Sequence, residues 1–284
     1  MPADRTTRPD DKIVTVRDLA AQIPHGASIA IPSNGTGVAI AATFELIRAG
    51  TGDLRLFAIP TSGLQADLLI GAGAVSHIEF SAVSLGEFGM APRFRDAVET
   101  NAIVYRDATC PAMHAGILAC AKGIPFIPLR GVIGSDIVAH RPDWRVIQNP
   151  MASDADRLLL IPAIRPDIAL FHAPLADRLG NVWVGTRREL ITMAQASRKT
   201  LVTVEEIVDG SLLDDPVRKA GVLHGLYVTA VAPAPHGAWP LSLPGHYAAD
   251  GDAMRAYAEA AKGAESFREH LAQLLTACDT DSAR

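Results

Sequence analysis

The stretch Ser28-Ile29-Ala30-Ile31-Pro32-Ser33-Asn34-Gly35-Thr36-Gly37-Val38 decides the fold. It opens with a short apolar run, Pro32 to Gly37 breaks that run, and from Val38 to Arg48 apolar residues return with helical spacing. Strand, turn and amphipathic helix follow one another, and Gly50 stands where such a helix stops. The next apolar run, Leu54-Arg55-Leu56-Phe57-Ala58-Ile59, is a second strand. Two strands joined through a helix run parallel, so this unit begins a parallel sheet.

The alternation continues along the chain. Further strands are expected over 78–83, 102–105, 168–171, 201–204 and 226–231, and helices over 64–70, 92–99, 112–122 and 187–196, with Gly71, Gly73 and Gly123 as stops. Most of the strand runs are apolar without interruption, as strands covered on both faces are. The expected fold class is α/β, an open, mostly parallel sheet sandwiched by helices. Two segments fall outside the pattern. Between Gly131 and Asp156, Gly134, Pro142, Asn149 and Pro150 leave little periodicity, which reads as an excursion lying over the sheet. From Ala232 to Gly245, Pro233, Pro235, Pro240 and Pro244 exclude helix and predict an extended arm. Beyond it, Met254, Tyr257, Ala261, Ala264, Phe267, Leu271 and Leu274 share one face of a single carboxyl-terminal helix, docked on its own domain. The expected organisation is a leader at 1–12, one domain at 13–275 with arm and helix at 232–275, and a tail at 276–284.

Composition narrows the class of function. The 284 residues are 49% hydrophobic and 20% charged, with a formal net charge of −5, enough apolar content for a large core and no basic excess. Lys and Arg gather in no block, which argues against nucleic acid as a partner. No apolar run is long enough to span a bilayer, and the polar first residues lack the basic start and apolar core of a signal peptide. The three cysteines, Cys110, Cys120 and Cys278, are odd in number and widely spaced. They do not form a disulfide framework and fit a reducing compartment, so a cytoplasmic location is expected.

Three segments are candidates for chemistry. The loop containing Asn34, Gly35 and Gly37 lies between strand and helix, where glycines admit a close ligand and free helix amides favour anions. It has neither the third glycine of a dinucleotide fingerprint nor the lysine of a P-loop. The loop Ser84-Leu85-Gly86-Glu87-Phe88-Gly89, followed by Arg93 and Arg95, also trails a strand. Ligands of open α/β sheets bind at such carboxyl ends. His172 to Asn181 reads as a structural turn, with Gly180 at positive φ and with Asp177 and Asn181 bonding backbone amides. Asp107, Cys110 and His114 lack a second ligand pair and are not a metal site. His236 and His246, in the arm, read as surface residues.

With these residues in view, the sequence resembles the α chain of family I coenzyme A transferases, in the glutaconate-transferase-like branch. The resemblance rests on Gly86-Glu87 with Phe94-Arg95 and Glu99, and on Pro166-Asp167-Ile168-Ala169-Leu170 leading into Ala176-Asp177-Arg178-Leu179-Gly180-Asn181-Val182. Thr203-Val204-Glu205-Glu206-Ile207-Val208, Pro235-His236-Gly237-Ala238, Tyr247 and Asp250 extend it. There are departures. Where the family has Gly-Gly-Phe, this chain has Pro32-Ser33-Asn34, and an asparagine expected after the second strand is replaced by Pro60-Thr61-Ser62-Gly63. A hydroxyl from Thr61 or Ser62 can donate in its place.

The resemblance implies a coenzyme A thioester as substrate, no permanently bound cofactor and no metal. It also implies a nucleophilic glutamate supplied by a β subunit, in a common assembly of two α and two β chains. No catalytic residue is then expected in this chain, which would wall the acyl pocket with Asn34, Gly35, Gly37, Thr61, Ser62, Gly86, Glu87 and Arg93. Two other readings keep the fold. One is the α chain of a ring-cleaving hydrolase acting on a CoA thioester from steroid breakdown, where a glutamate is expected in the segment aligned with Asp107 to His114. This chain has Cys110 there instead. The other is a non-catalytic metabolite-binding protein.

Overall fold

The computed structural model describes residues 12–281. Residues 1–11 of the expected leader and 282–284 of the expected tail lie outside the described residues, as does the side chain of Cys278. The strands are β1 (Ser28–Pro32), β2 (Leu54–Ile59), β3 (Val75–Phe80), β4 (Val104–Asp107), β5 (Phe126–Leu129), β6 (Arg145–Gln148), β7 (Arg157–Pro162), β8 (Ile168–Asp177), β9 (Val182–Trp183), β10 (Lys199–Val208), β11 (Val222–Leu223) and β12 (Ala230–Pro233). The α-helices are α1 (Val16–Ala20), α2 (Ile40–Arg48), α3 (Leu64–Gly71), α4 (Pro92–Glu99), α5 (Cys110–Ala121), α6 (Asp136–Ala139), α7 (Arg188–Ala196), α8 (Gly251–Ala260) and α9 (Ala264–Asp281).

The main sheet runs β4-β3-β2-β1-β8-β10-β12, with every neighbouring pair parallel. The short strands β9 and β11 add antiparallel pairings beside β8. From β1 the chain builds outward first to β2, β3 and β4, then returns to the other side with β8, so the end of β1 is a topological switch point. Strand alternation divides the core. Ile29, Ile31, Leu54 and Leu56 pack with Phe44, Leu68, Phe94, Tyr257 and Phe267 on one face. Ala30, Ile59, Phe171 and Val202 pack with Met113, Ile117, Leu190 and Met193 on the other. Local signals set the helix ends. Gly50, at φ +64, closes α2 in the left-handed conformation, and Pro92 opens α4.

The structure corrects several expectations. The excursion after Gly131 contains β6, which pairs antiparallel with β7, itself paired to β5 in a separate three-stranded sheet. These strands are short and carry exposed residues, so they give no continuous apolar run. The carboxyl-terminal helix is two helices, broken between Ala260 and Ala264. At the break Arg93 takes the carbonyls of Ala261 and Lys262, which a continuous helix would use internally. α9 then runs to Asp281, past residue 275. The strand expected over 226–231 begins only at Ala230, because Lys12 Nζ binds the carbonyls of Gly225 and Val228 and holds a tight turn there. β3 and β4 lie a few residues from their expected places, and β8 continues as strand to Asp177. No helix among the described residues is long and apolar enough to cross a membrane.

Candidate functional site

The loops after β1 and β2 meet beside the switch point. β1 pairs with β8 only through Ile29 and Ala30, so the two strands part beyond that register. The glycine loop fills the gap. The His172 amide donates to the Gly37 carbonyl at 2.7 Å, and a Cβ on Gly37 would lie 2.1 Å from the His172 carbonyl oxygen. Gly37 also has φ +99, so glycine is required there twice over. The Gly35 carbonyl accepts from Arg187 at 3.0 Å.

Across the loop, Ser33 Oγ lies 2.7 Å from Thr61 Oγ1. Asn34 Oδ1 accepts from the Leu64 amide at the start of α3, at 3.3 Å, and Asn34 Nδ2 donates to the Ser84 carbonyl at 3.4 Å. Gly63 makes room for that amide, since a Cβ there would stand 2.2 Å from Asn34 Nδ2. Ser62 is 4% exposed, and its hydroxyl has no hydrogen-bond partner among the described residues. Its backbone bonds the strand beside it, from the Ser62 amide to Ala82 and from the Ser84 amide to Ser62, each at 3.0 Å.

Asn34, Gly35, Gly37, Thr61 and Ser62 are thus gathered at one end of the sheet. Gly86 and Glu87 lie on an exposed 3-10 turn that leaves from Ser84, whose hydroxyl accepts from the Gly86 amide at 3.0 Å. Arg93 is elsewhere. Its guanidinium is buried, 2.6 Å from the Ala261 carbonyl, lies over the Phe267 ring, and has no place in the pocket wall. Cys110, at the start of α5, sits 3.1 Å from Ser81 Oγ, which donates to the Pro60 carbonyl. The turn Asp177 to Asn181 is structural. Asp177 accepts from the amides of Leu179, Asn181 and Leu212.

The sequence reading missed a carboxylate on the opposite wall. Glu205, on β10, accepts from His172 Nε2 and Tyr247 Oη through Oε1 and from the His236 amide through Oε2, each at 2.7 Å. Burial acts to raise its pKa, but these three donors outweigh it and hold the carboxyl down at about 2. Burial also depresses the His172 imidazole, more than Glu205 raises it. The pair is therefore a neutral ring donating to a carboxylate, with Thr203 Oγ1 2.9 Å from Nδ1. The signal was present in Thr203-Val204-Glu205, where alternation puts Thr203 and Glu205 on one face at a strand's carboxyl end.

Residues 13–229 match the family model described as Coenzyme A transferase. The chain is 33% identical over 264 residues to the α-type chain of 3-oxoadipate CoA-transferase from Pseudomonas knackmussii, covering 90% of each chain. It is 28% identical over 280 residues to the cholesterol ring-cleaving hydrolase IpdA subunit of Rhodococcus jostii, covering 95% of this chain and 94% of that one. The crystal structure of glutaconate coenzyme A-transferase from Acidaminococcus fermentans superposes with a TM-score of 0.86 at 28% identity, covering 92% of this chain and 88% of that one. The parallel sheet, the loops at its switch point and these likenesses agree, and the chain belongs to the family I coenzyme A transferases as one of their α-type chains.

Proposed function

We propose that this chain is the α half of a heteromeric enzyme that moves coenzyme A between an acyl-CoA thioester and a carboxylic acid, with the nucleophilic glutamate brought by a β chain. The observation that carries this reading is the hydroxyl of Ser62. A buried hydroxyl is normally hydrogen-bonded, and this one is left without a partner at the carboxyl end of β2. It is free to donate to an oxygen that arrives with the substrate.

In the proposed reaction the partner's carboxylate attacks the thioester carbonyl, giving an acyl anhydride and the CoA thiolate. The thiolate attacks the glutamyl carbonyl, releasing the acid and leaving a glutamyl-CoA thioester, and a second acid then reverses the steps. Each attack places negative charge on an oxygen, which Ser62, Thr61 and Asn34 are placed to stabilise by donating to it. Gly35 and Gly37 let the backbone approach the thioester, and Gly86 and Glu87 border the mouth. Glu205 does not serve as the nucleophile, because both of its oxygens are already engaged. The enzyme works in the cytoplasm as two α and two β chains.

The test is to purify the tagged chain from its native host, identify what co-purifies in equal amount, and assay CoA transfer between acyl-CoA and free acids. Borohydride reduction during turnover should trap the glutamyl-CoA thioester on the partner chain. Transfer without a trapped partner glutamate contradicts the mechanism. The match to the hydrolase over nearly the whole chain favours a second reading, ring cleavage by water. Hydrolysis of a cyclic CoA thioester without transfer would establish it. A chain that purifies alone as a folded homo-oligomer would favour metabolite binding.

A further inference from the structure

We propose that Glu205 is a positioning residue, which fastens the carboxyl-terminal arm and His172 together so that they grip the glycine loop from both ends. This rests on the proposed role of that loop in holding the CoA thioester. Three observations support it.

The first is where the ties of Glu205 lead. His172, on β8, is held through its ring by Glu205 and through its backbone amide holds Gly37, the last glycine of the loop. The arm is held at two points, by the His236 amide and by Tyr247 Oη, which also accepts from the Ala238 amide at 3.2 Å. Between those points Gly237 offers its carbonyl to the Ala41 amide, at 3.0 Å, in the first turn of α2. Gly37 and Ala41 flank the entry to the helix, and both are restrained by elements that converge on one carboxylate.

The second observation is strain. His236 has φ +57, a left-handed conformation that a non-glycine residue adopts at a cost. Its amide is held by Glu205 Oε2 and its ring stacks on Tyr247, with centroids 4.9 Å apart and planes 27° from parallel. The third is fit. Gly237 carries no side chain where it meets the His172 ring, and a Cβ there would stand 2.7 Å from the ring carbon Cε1. The arm is seated against the imidazole that Glu205 orients.

Glutamine is the informative substitution. It has the shape of glutamate, but its amide nitrogen can only donate. In one orientation that nitrogen faces the His236 N–H, and in the other it faces His172 Nε2–H and Tyr247. No orientation serves all three donors.

The test uses the co-purified complex and compares wild type with Glu205→Gln and Tyr247→Phe. Hydrogen–deuterium exchange is followed over residues 35–44 and 234–247, alongside steady-state kinetics. Glu205→Gln is expected to speed exchange in both segments about tenfold or more, the scale of one lost charge-assisted hydrogen bond. KM for the acyl-CoA should rise by a similar factor while kcat changes far less. Tyr247→Phe removes one donor, so it should loosen 234–247 first, and it decides the matter if the glutamine variant does not fold. Unchanged exchange over 35–44 in folded variants overturns the proposal, as does faster exchange with KM unaltered in an active enzyme. If wild type transfers no CoA but the variants still loosen 35–44, the fastening stands and the transferase reading falls.

Discussion

Asp67→Asn tests how the carboxyl-terminal helices are fastened. Asp67, on α3, is fully buried; its Oδ1 accepts from the Phe94 amide and its Oδ2 from Tyr257 Oη on α8, each at 2.7 Å. Burial raises its pKa from 3.8 to about 6, against the pull of these hydrogen bonds and of Arg93. A rise of that size corresponds to about 3 kcal/mol. The folded state therefore holds the proton more tightly than the unfolded one. As pH falls through 6 toward 3.8 this group makes the fold more stable, and above pH 6 its ionised form costs up to that amount. Asparagine has the same shape and no charge. Its oxygen can accept from Phe94, and its amide can donate to the Tyr257 oxygen. Urea unfolding of both proteins from pH 8 to pH 4 should show Asp67→Asn equal to or more stable than wild type at the alkaline end. The difference should then shift in favour of wild type by about 3 kcal/mol at the acid end. Glu205 and His172 have lowered pKa values and act with the opposite sign, destabilising the fold as pH falls, but they titrate in both proteins and cancel. A variant-minus-wild-type difference that stays flat across the range refutes the reasoning.

Other residues give sharper functional contrasts. Ser62→Ala removes an unpartnered hydroxyl, so urea stability should stay within about 0.5 kcal/mol, while kcat/KM for transfer should fall about a hundredfold. An unaltered kcat/KM would remove Ser62 from the reaction. Gly37→Ala forces a side chain into the His172 carbonyl and into a left-handed backbone, which alone costs about 1–2 kcal/mol; the melting temperature should drop and acyl-CoA binding should be lost together. Arg93→Ala should do the reverse of Ser62→Ala. It removes charged hydrogen bonds to Ala261 and Lys262 worth roughly 1.5–3 kcal/mol each, lowering stability while leaving KM unchanged, and a raised KM would return Arg93 to the site.

What could be read from the sequence was what is local. The unit from β1 to β2 was legible because its strand periodicity, helical spacing and glycine stop all lie within a few residues of one another. The glycine loop was legible as a loop. The reason Gly37 must be glycine was not, since the carbonyl it meets belongs to His172, on a strand made much later. Glu205 was hidden for the same cause: its partners His172, His236 and Tyr247 come from three distant segments, and in the sequence it is an acidic residue beside another. Arg93 was misplaced because adjacency to a strand end was taken as proximity to the site, whereas its guanidinium turns to α8 and the break after it. The small antiparallel sheet was missed because Phe126–Leu129 and Arg145–Gln148 are too short and too exposed to stand out.

The fastening of α8 and α9 onto α3 and α4 bears on how the chain is made. Tyr257 reaches back 190 residues to Asp67, and Arg93 reaches forward 168 residues to Ala261. Phe267 seats against Gly71, where a Cβ would stand 2.4 Å from its ring. Until these late segments leave the ribosome, the apolar faces of α3 and α4 have no cover. At about 5–20 residues per second, a separation of 190 residues leaves them bare for roughly 10–40 s. For that interval the nascent chain presents a sticky surface. A chain cut short before Tyr257 keeps its strand–helix units and its glycine loop but never closes that surface, so prematurely terminated products are expected to be ligands for chaperones and proteases rather than weak enzymes.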